Sequence, residues 1–101
     1  MLFMVLCYDK PDSVELRMKT RPDHLAYLEG AGERVKIAGP LMSSETNSGE
    51  DPKPIGSLIL IDGASEMAVK LFAENDPYNT VGLFERVEIR EWKAGIGHWL
   101  P

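Results

Sequence analysis

The sequence has few of the residues that indicate a disulfide framework or a metal centre. Its 101 residues include one cysteine, Cys7, and two histidines, His24 and His98. A lone cysteine cannot form an internal disulfide, and two distant histidines lack the spacing of common metal sites. The Gly30-Ala31-Gly32 segment follows a predicted helix instead of opening one, so it is not a phosphate-binding loop. We therefore expect no metal and no cofactor.

Positive charge and long apolar runs are also scarce. The 11 Lys and Arg residues are outnumbered by 16 Asp and Glu residues, for a net charge of −5. This balance disfavours nucleic acid and anionic membrane surfaces as partners. No apolar run approaches the ~20 residues that span a bilayer. The run over residues 2–8 has no basic region before it and is followed by Asp9-Lys10, so we expect a strand, not a signal peptide, and a cytoplasmic protein.

What is present indicates a globular fold. With 44% hydrophobic and 27% charged residues, the composition is ordinary for one compact domain, here residues 1–101 with a tail over 93–101. The single cysteine lies in an apolar run and is expected to be a buried small side chain. Trp99 and Leu100 in the tail are expected to dock against a surface that the sequence does not identify.

Two kinds of strand are predicted. Residues 2–8 and 55–61 are apolar on both alternating faces, which is typical of central strands covered on both sides. Residues 34–37, which stop at Gly39-Pro40, and 84–92 alternate between apolar and charged, which is typical of edge strands. The polar segment 43–54 is expected to be a mobile hairpin loop.

Two helical regions separate these strands. Asp12 and Glu15 have the spacing of a capping box for a helix that reaches about Lys19. Pro22 is expected to kink or restart that helix, so that a second piece runs to about residue 31 with His24 in its first turn. The second region, 65–74, has apolar residues at helical spacing and ends before Pro77.

The resulting order, β-α-β-β-α-β, predicts an α+β, ferredoxin-like antiparallel sheet with strand order 4-1-3-2. Two helices cover only one face of such a sheet, yet the central strands are apolar on both faces. We therefore expect a homodimer that packs sheet against sheet.

One pair of residues stands out as candidate chemistry. His24 has the side chain type whose unperturbed pKa, about 6.5, suits proton transfer near neutrality. Asp76 follows the second helix, and in the predicted topology we expect it at the same end of the sheet as the C-terminal half of the first. A structural interpretation stays open for both, because His24 could be a hydrogen-bonded surface residue and Asp76 could cap a short segment over 78–81. Arg17 and Arg21, four residues apart, indicate either a solvated helix face or an anion site.

The order and spacing of several short motifs resemble the YciI-like family over nearly the whole chain. The matching residues are Asp9-Lys10, Asp12-Ser13, Arg17, Arg21-Pro22, His24-Leu25, Ala38-Gly39-Pro40, Gly56-Ser57, Asp76-Pro77-Tyr78 and Gly82. The resemblance implies a dimeric α+β barrel with a cleft at His24 and Asp76. The family is related by fold to muconolactone isomerases and small monooxygenases, and includes a dehydrochlorinase-like branch acting on chlorinated hydroquinones.

Two functions follow as hypotheses. The first is a cofactor-independent lyase or isomerase of a small cyclic or aromatic metabolite, with His24 as general acid or base, Asp76 as its orienter, and Arg21, Ser57 and Tyr78 as substrate contacts. The second is a non-catalytic homodimeric module that binds a small-molecule ligand or stabilises a partner.

Overall fold

A computed structural model describes residues 1–44 and 49–100 of the chain. The helices and strands are β1 (Leu2–Asp9), α1 (Val14–Gly30), β2 (Val35–Met42), β3 (Pro54–Asp62), α2 (Glu66–Glu74), α3 (Pro77–Thr80) and β4 (Phe84–Glu91), with a 3₁₀ turn at Gly32–Arg34 before β2. The segment 45–48, within the predicted loop 43–54, lies outside the described residues, as does residue 101.

The four strands form one antiparallel sheet in the order β2-β3-β1-β4. This confirms the predicted ferredoxin-like α+β fold and its strand order, which is 4-1-3-2 when counted from the β4 edge. The two strands with apolar residues on both faces, β1 and β3, are the central pair. Apolar residues on both faces therefore correctly predicted which strands are central in the sheet. Each central strand is also paired with a neighbour along both of its edges.

The core lies between the sheet and the helices on one of its faces. From β1 it takes Phe3, Val5 and Cys7, which alternate with half-buried residues that point to the opposite face. Its members are Phe3, Val5, Cys7, Leu28, Ile59, Ile61, Val69, Phe72, Ala73, Tyr78, Leu83 and Phe84. No helix of the described residues covers the opposite face of the sheet.

Helix α1 is continuous through Pro22, so the predicted restart of the helix there is wrong. Its buried residues, Arg17, Thr20, His24 and Leu28, are spaced by three and four and therefore form one stripe over the length of the helix. Pro22 lies on the exposed side. The carbonyl of Met18, which loses its acceptor bond, belongs to a residue that is 53% exposed, so water can replace the missing donor.

Three local predictions near the helices and strands also differ from the structure. Ser13, not Asp12, is the N-cap of α1, and it makes no side-chain capping bond, while Asp12 adopts a left-handed backbone with φ of 55°. Strand β2 continues through Gly39-Pro40 to Met42, because an edge strand tolerates a proline that has no N–H to pair. Trp99 is 87% exposed, so the expected docking does not occur within the described chain.

No helix within the described residues is long and apolar enough to cross a membrane.

Candidate functional site

The predicted pair, His24 and Asp76, is in direct contact. The Nδ1 atom of His24 lies 2.8 Å from Oδ1 and 2.9 Å from Oδ2 of Asp76, and both residues are buried. An ionised carboxylate only accepts hydrogen bonds, so Nδ1–H is the donor and the lone pair of a neutral ring is on Nε2. Nε2 has no partner among residues 1–44 and 49–100.

Asp76 also caps α3, as the structural interpretation of the sequence suggested. Its Oδ1 accepts from the backbone N–H of Tyr78 at 2.9 Å, and Pro77 follows it at the first helical position. The same carboxylate therefore caps α3 and contacts the imidazole. The helix terminus fixes the carboxylate, and the carboxylate fixes the imidazole.

Tyr78 packs directly on the imidazole. The two rings are stacked with centroids 3.9 Å apart and an interplanar angle of 15°, and Tyr78 is 1% exposed. The Arg17 guanidinium contacts the same tyrosine ring, with Cζ 4.5 Å from its centroid. Burial raises the pKa of the Tyr78 hydroxyl, partly offset by the positive charges of Arg17 and Arg21, so this hydroxyl stays protonated at neutral pH.

Arg17 forms a second buried ion pair that the sequence did not reveal. Its Nε donates to Oδ2 of Asp9 at 2.6 Å, and its Nη2 donates to Oδ1 of Asp9 at 3.0 Å and to Oγ of Ser57 at 2.8 Å. Burial acts to lower the pKa of the Arg17 guanidinium, but the hydrogen bond and charge of Asp9 outweigh it, and the net shift is upward. The interpretation of Arg17 as part of a solvated helix face is therefore wrong.

A cleft of about 410 Å³ lies between α1 and the β2-β3 side of the sheet, and side chains of the site line it. The structure brings four of the five predicted site residues to it, namely Arg21, His24, Ser57 and Tyr78, while Asp76 lies behind the imidazole. Arg17 also lines it. Its remaining walls are mainly apolar and include Leu25, Leu28 and Pro40.

The Cys7 thiol and the metal-binding capacity of the chain also bear on the chemistry of the site. Burial raises the pKa of the Cys7 thiol to about 12, and the negative charge of Asp76 adds to the shift, so Cys7 is not a nucleophile near neutral pH. Within the described part of the chain, no three His, Cys, Asp or Glu side chains are placed to share a metal ion.

The fold and the cleft together define a ferredoxin-like α+β protein with a buried His–Asp pair facing a small cavity. The sequence pattern of the YCII-related domain family matches residues 1–93. The chain belongs to this family, as the resemblance indicated.

Three relatives extend the comparison. Protein YciI of Escherichia coli is 33% identical over 95 residues, covering 92% of this chain and 97% of the relative. A protein of Emericella nidulans described as derivative of benzaldehyde biosynthesis cluster protein C is 35% identical over 74 residues, covering 70% of this chain and 76% of the relative. Among solved structures, 5-chloro-2-hydroxyhydroquinone dehydrochlorinase (TftG) from Burkholderia phenoliruptrix, in complex with 2,5-dihydroxybenzoquinone, is 34% identical with a TM-score of 0.84, covering 94% of this chain and 96% of that one.

Proposed function

We propose that this protein is a cofactor-independent lyase or isomerase, dehydrochlorinase-like, that acts on a small cyclic or aromatic metabolite. The observation that carries the proposal is the buried contact of 2.8 Å between Nδ1 of His24 and Oδ1 of Asp76, with Nε2 left for the cleft. A base held in one tautomer by a carboxylate is suited to remove a proton from a bound molecule.

In the proposed reaction, Nε2 of His24 takes a proton from a carbon or oxygen of the substrate, and Asp76 stabilises the imidazolium that forms. In an isomerisation, the imidazolium returns the proton to another atom of the ring. In an elimination of hydrogen chloride from a hydroxylated ring in its keto form, the chlorine-bearing carbon is tetrahedral and Nε2 takes a proton from a ring hydroxyl. The O–H electron pair forms a C=O bond, the neighbouring C=C bond shifts toward the chlorine-bearing carbon, chloride leaves with the electrons of the C–Cl bond, and the proton stays on His24 until solvent removes it. Neither route needs an oxidant or a reductant.

The comparison with the dehydrochlorinase supports the choice of substrate class. That protein is similar over nearly its whole length, and its complex contains an oxygenated six-membered ring. The cleft of the present chain combines apolar walls with a histidine, a serine and two arginines, which suits a small ring bearing oxygen atoms.

The test is chloride release from 5-chloro-2-hydroxyhydroquinone, measured for the natural protein and for His24→Ala. We expect the substitution to lower turnover by about 10²-fold or more while leaving the folded state intact, with a histidine-like limb in the pH–rate profile that is lost in the variant. His98→Ala is the matched control, because it removes the exposed tail histidine and leaves the cleft unchanged. A folded His24→Ala protein with full activity would contradict the proposal.

A non-catalytic ligand-binding domain is the second candidate, and one observation favours it. Asp76 caps α3 through the Tyr78 N–H, so selection for a stable fold alone would retain this carboxylate. Absence of turnover, together with ligand binding that persists unchanged in both His24→Ala and Asp76→Ala, would favour this function.

We further propose that the protein is a homodimer. The support is the uncovered face of the sheet, where the alternate residues of β1 and β3 are apolar although both main helices pack on the other face. Burial of this face against a second copy would complete the covering that two-sided apolar strands need.

A further inference from the structure

The hydrogen bonds of Arg17 leave two donors unused. A guanidinium has five N–H groups. Three are used: Nε–H and one Nη2–H bind Asp9, and the other Nη2–H binds Ser57. Neither N–H of Nη1 has an acceptor among residues 1–44 and 49–100, yet no fully buried side-chain nitrogen or oxygen in that part of the chain lacks a partner. Nη1 is therefore not fully buried. Since Arg17 lines the cleft, we infer that Nη1 is the atom it presents there.

The charge of the cleft lining is unusual for this protein. The chain as a whole has a net charge of −5. The cleft is nevertheless lined by two guanidiniums, those of Arg17 and Arg21, and by no aspartate or glutamate. The carboxylates of Asp9 and Asp76 lie behind the lining, where they hold Arg17 and His24. Asp9 balances the charge of Arg17, but an anion in the cleft would contact guanidinium N–H donors without contacting a carboxylate.

We propose that Nη1 of Arg17 and the hydroxyl of Ser57 bind one ionised oxygen of the ligand, so that the cleft selects planar rings bearing a phenolate or enolate. The proposal rests on the proposed function only in taking this cleft as the ligand site. Ser57 Oγ accepts from Nη2 of Arg17, and its own O–H has no acceptor among residues 1–44 and 49–100, so it can donate to the same ligand oxygen.

The geometry favours a single oxygen over a carboxylate. The Nε–Nη2 edge of a guanidinium is the fork that matches both oxygens of a carboxylate, and Asp9 already occupies this edge in Arg17. The remaining donors are one nitrogen and one hydroxyl, which suit one oxygen atom. The side chain is also fixed in place, since Asp9 and the Tyr78 ring hold it and it is only 3% exposed.

The same geometry relates the anionic oxygen to the base. The Arg17 Cζ and the centre of the His24 ring lie 4.5 and 3.9 Å from the same tyrosine centroid, so their separation is no greater than the sum of these distances. This upper bound is within the reach of one substituted six-membered ring. Arg17 would hold one oxygen while Nε2 of His24 faces another atom of the same ring.

The test compares two probes with the same quinone ring, one bearing two ionisable hydroxyls and the other two methyl ethers: 2,5-dihydroxybenzoquinone and 2,5-dimethoxybenzoquinone. Binding is measured by calorimetry or absorbance titration near neutral pH. We expect the natural protein to bind the dihydroxy compound about tenfold or more tightly than the ether, because a hydrogen bond to a charged group discriminates by at least that factor. Arg17→Lys should weaken binding of the dihydroxy compound about tenfold and leave the ether unchanged.

Two controls make the result specific to Arg17. Lys19→Met removes a positive charge from the exposed side of α1, away from the cleft, and should leave both affinities unchanged. If Arg17→Lys does not fold, as judged by thermal melting, Ser57→Ala replaces it, with an expected loss of a fewfold for the dihydroxy compound alone. Equal affinity for the two probes, or tighter binding of benzoate than of the dihydroxy compound, would overturn the proposal.

The outcome is separable from that for the proposed function. Turnover that depends on His24, together with probe binding that is indifferent to Arg17→Lys, would refute the role of Arg17 and leave the enzyme hypothesis standing. Selective, Arg17-dependent binding in a protein with no turnover would support the anionic ligand class and refute the enzyme hypothesis.

Discussion

Asp76 accepts hydrogen bonds from two different parts of the molecule, the imidazole of His24 and the backbone N–H of Tyr78. Removal of its carboxylate should therefore cost more than the loss of an ordinary helix cap. We expect Asp76→Ala to lower the free energy of unfolding by about 2–4 kcal/mol, combining ~1 kcal/mol for the cap with 1–3 kcal/mol for a buried imidazole left without a partner.

Chemical denaturation provides the measurement, with Ser65→Ala as the matched control. Ser65 caps α2 by accepting from the Ala68 N–H, but it is exposed and holds no second group. Its loss should cost only ~1 kcal/mol. Asp76→Asn keeps an acceptor for the Tyr78 N–H and should lie between the two. Equal costs for Asp76→Ala and Ser65→Ala would show that the contact with His24 does not stabilise the fold.

Cys7 gives the stability a predictable dependence on alkaline pH. Burial first, and the charge of Asp76 second, raise its pKa from 9.0 to about 12 in the folded chain. Between these values the unfolded chain loses the thiol proton and the folded chain keeps it, so the free energy of unfolding falls as the pH rises through that window. Below about pH 9 this contribution is complete.

We expect the natural protein to lose stability as the pH rises from about 9 to about 10.5, measured by denaturation under reducing conditions, and Cys7→Ala to lose less. The raised pKa of Tyr78 acts with the same sign, so a smaller alkaline loss remains in the variant. An identical loss in both proteins would show that Cys7 titrates as an exposed thiol.

The residues of the site differ in how far the sequence predicted them. His24 and Asp76 were predicted from the proton-transfer chemistry of a histidine and from the resemblance to the YciI-like family. The prediction that both helices end at the same end of the sheet is wrong, because β1 and β3 are antiparallel and the helices that follow them run in opposite directions. Asp76, after α2, instead meets His24 in the middle of α1. Arg17 and Asp9 were missed because the expected break at Pro22 separated Arg17 from His24. On a continuous helix the two are seven residues apart and share a face, so the spacing of Arg17, Thr20, His24 and Leu28 was the available signal.

At the scale of elements, apolar patterning was more informative than proline and glycine. The apolar residues on both faces of β1 and β3 predicted that these two strands are central in the sheet. This pattern is informative because burial of both faces reflects the position of a strand in the whole fold. Pro22 and Gly39-Pro40 suggested ends that the structure does not have, since tertiary placement put Pro22 on the solvent side of a helix and Pro40 on a sheet edge. The buried stripe of α1 is mostly polar, so hydrophobic periodicity could not identify it.

Gly56 holds β3 close to its neighbours, immediately before Ser57 in the cleft. A Cβ at this position would overlap the carbonyl oxygen of Cys7 and lie 2.9 Å from Cδ1 of Leu41. Gly56→Ala must therefore push the strands apart, and we expect it to lower the free energy of unfolding by about 1–3 kcal/mol.

Gly39→Ala on the paired strand is the control. A Cβ there meets nothing within 4 Å, so the expected change in the free energy of unfolding, measured by denaturation, is within about 0.5 kcal/mol. Similar values for the two variants would mean that β1 and β2 move apart without cost.

At the scale of the whole molecule, the most conspicuous feature is the apolar face of the sheet that no helix of the described residues covers. The register places its side chains opposite to those of the core, across β1, β3 and β2. The apolar residues on this face are Leu2, Met4, Leu6, Tyr8, Ile37, Leu41, Leu58 and Leu60. A stable interface buries ~800 Å² on each partner, which a face of three strands can supply.

A second copy of the chain is the simplest partner for this face, because a twofold axis packs the same apolar surface of both copies against each other. We therefore expect light scattering at micromolar concentration to give twice the chain mass of 11.3 kDa. Leu58→Glu, which places a charge on the central strand β3 within this face, should shift the mass to that of one chain. Met67→Glu is the control, since Met67 is an exposed apolar residue on α2, on the other side of the sheet, and should leave the mass unchanged. A natural protein with a mass near 11.3 kDa would refute the dimer, and the apolar face would then belong to a different partner.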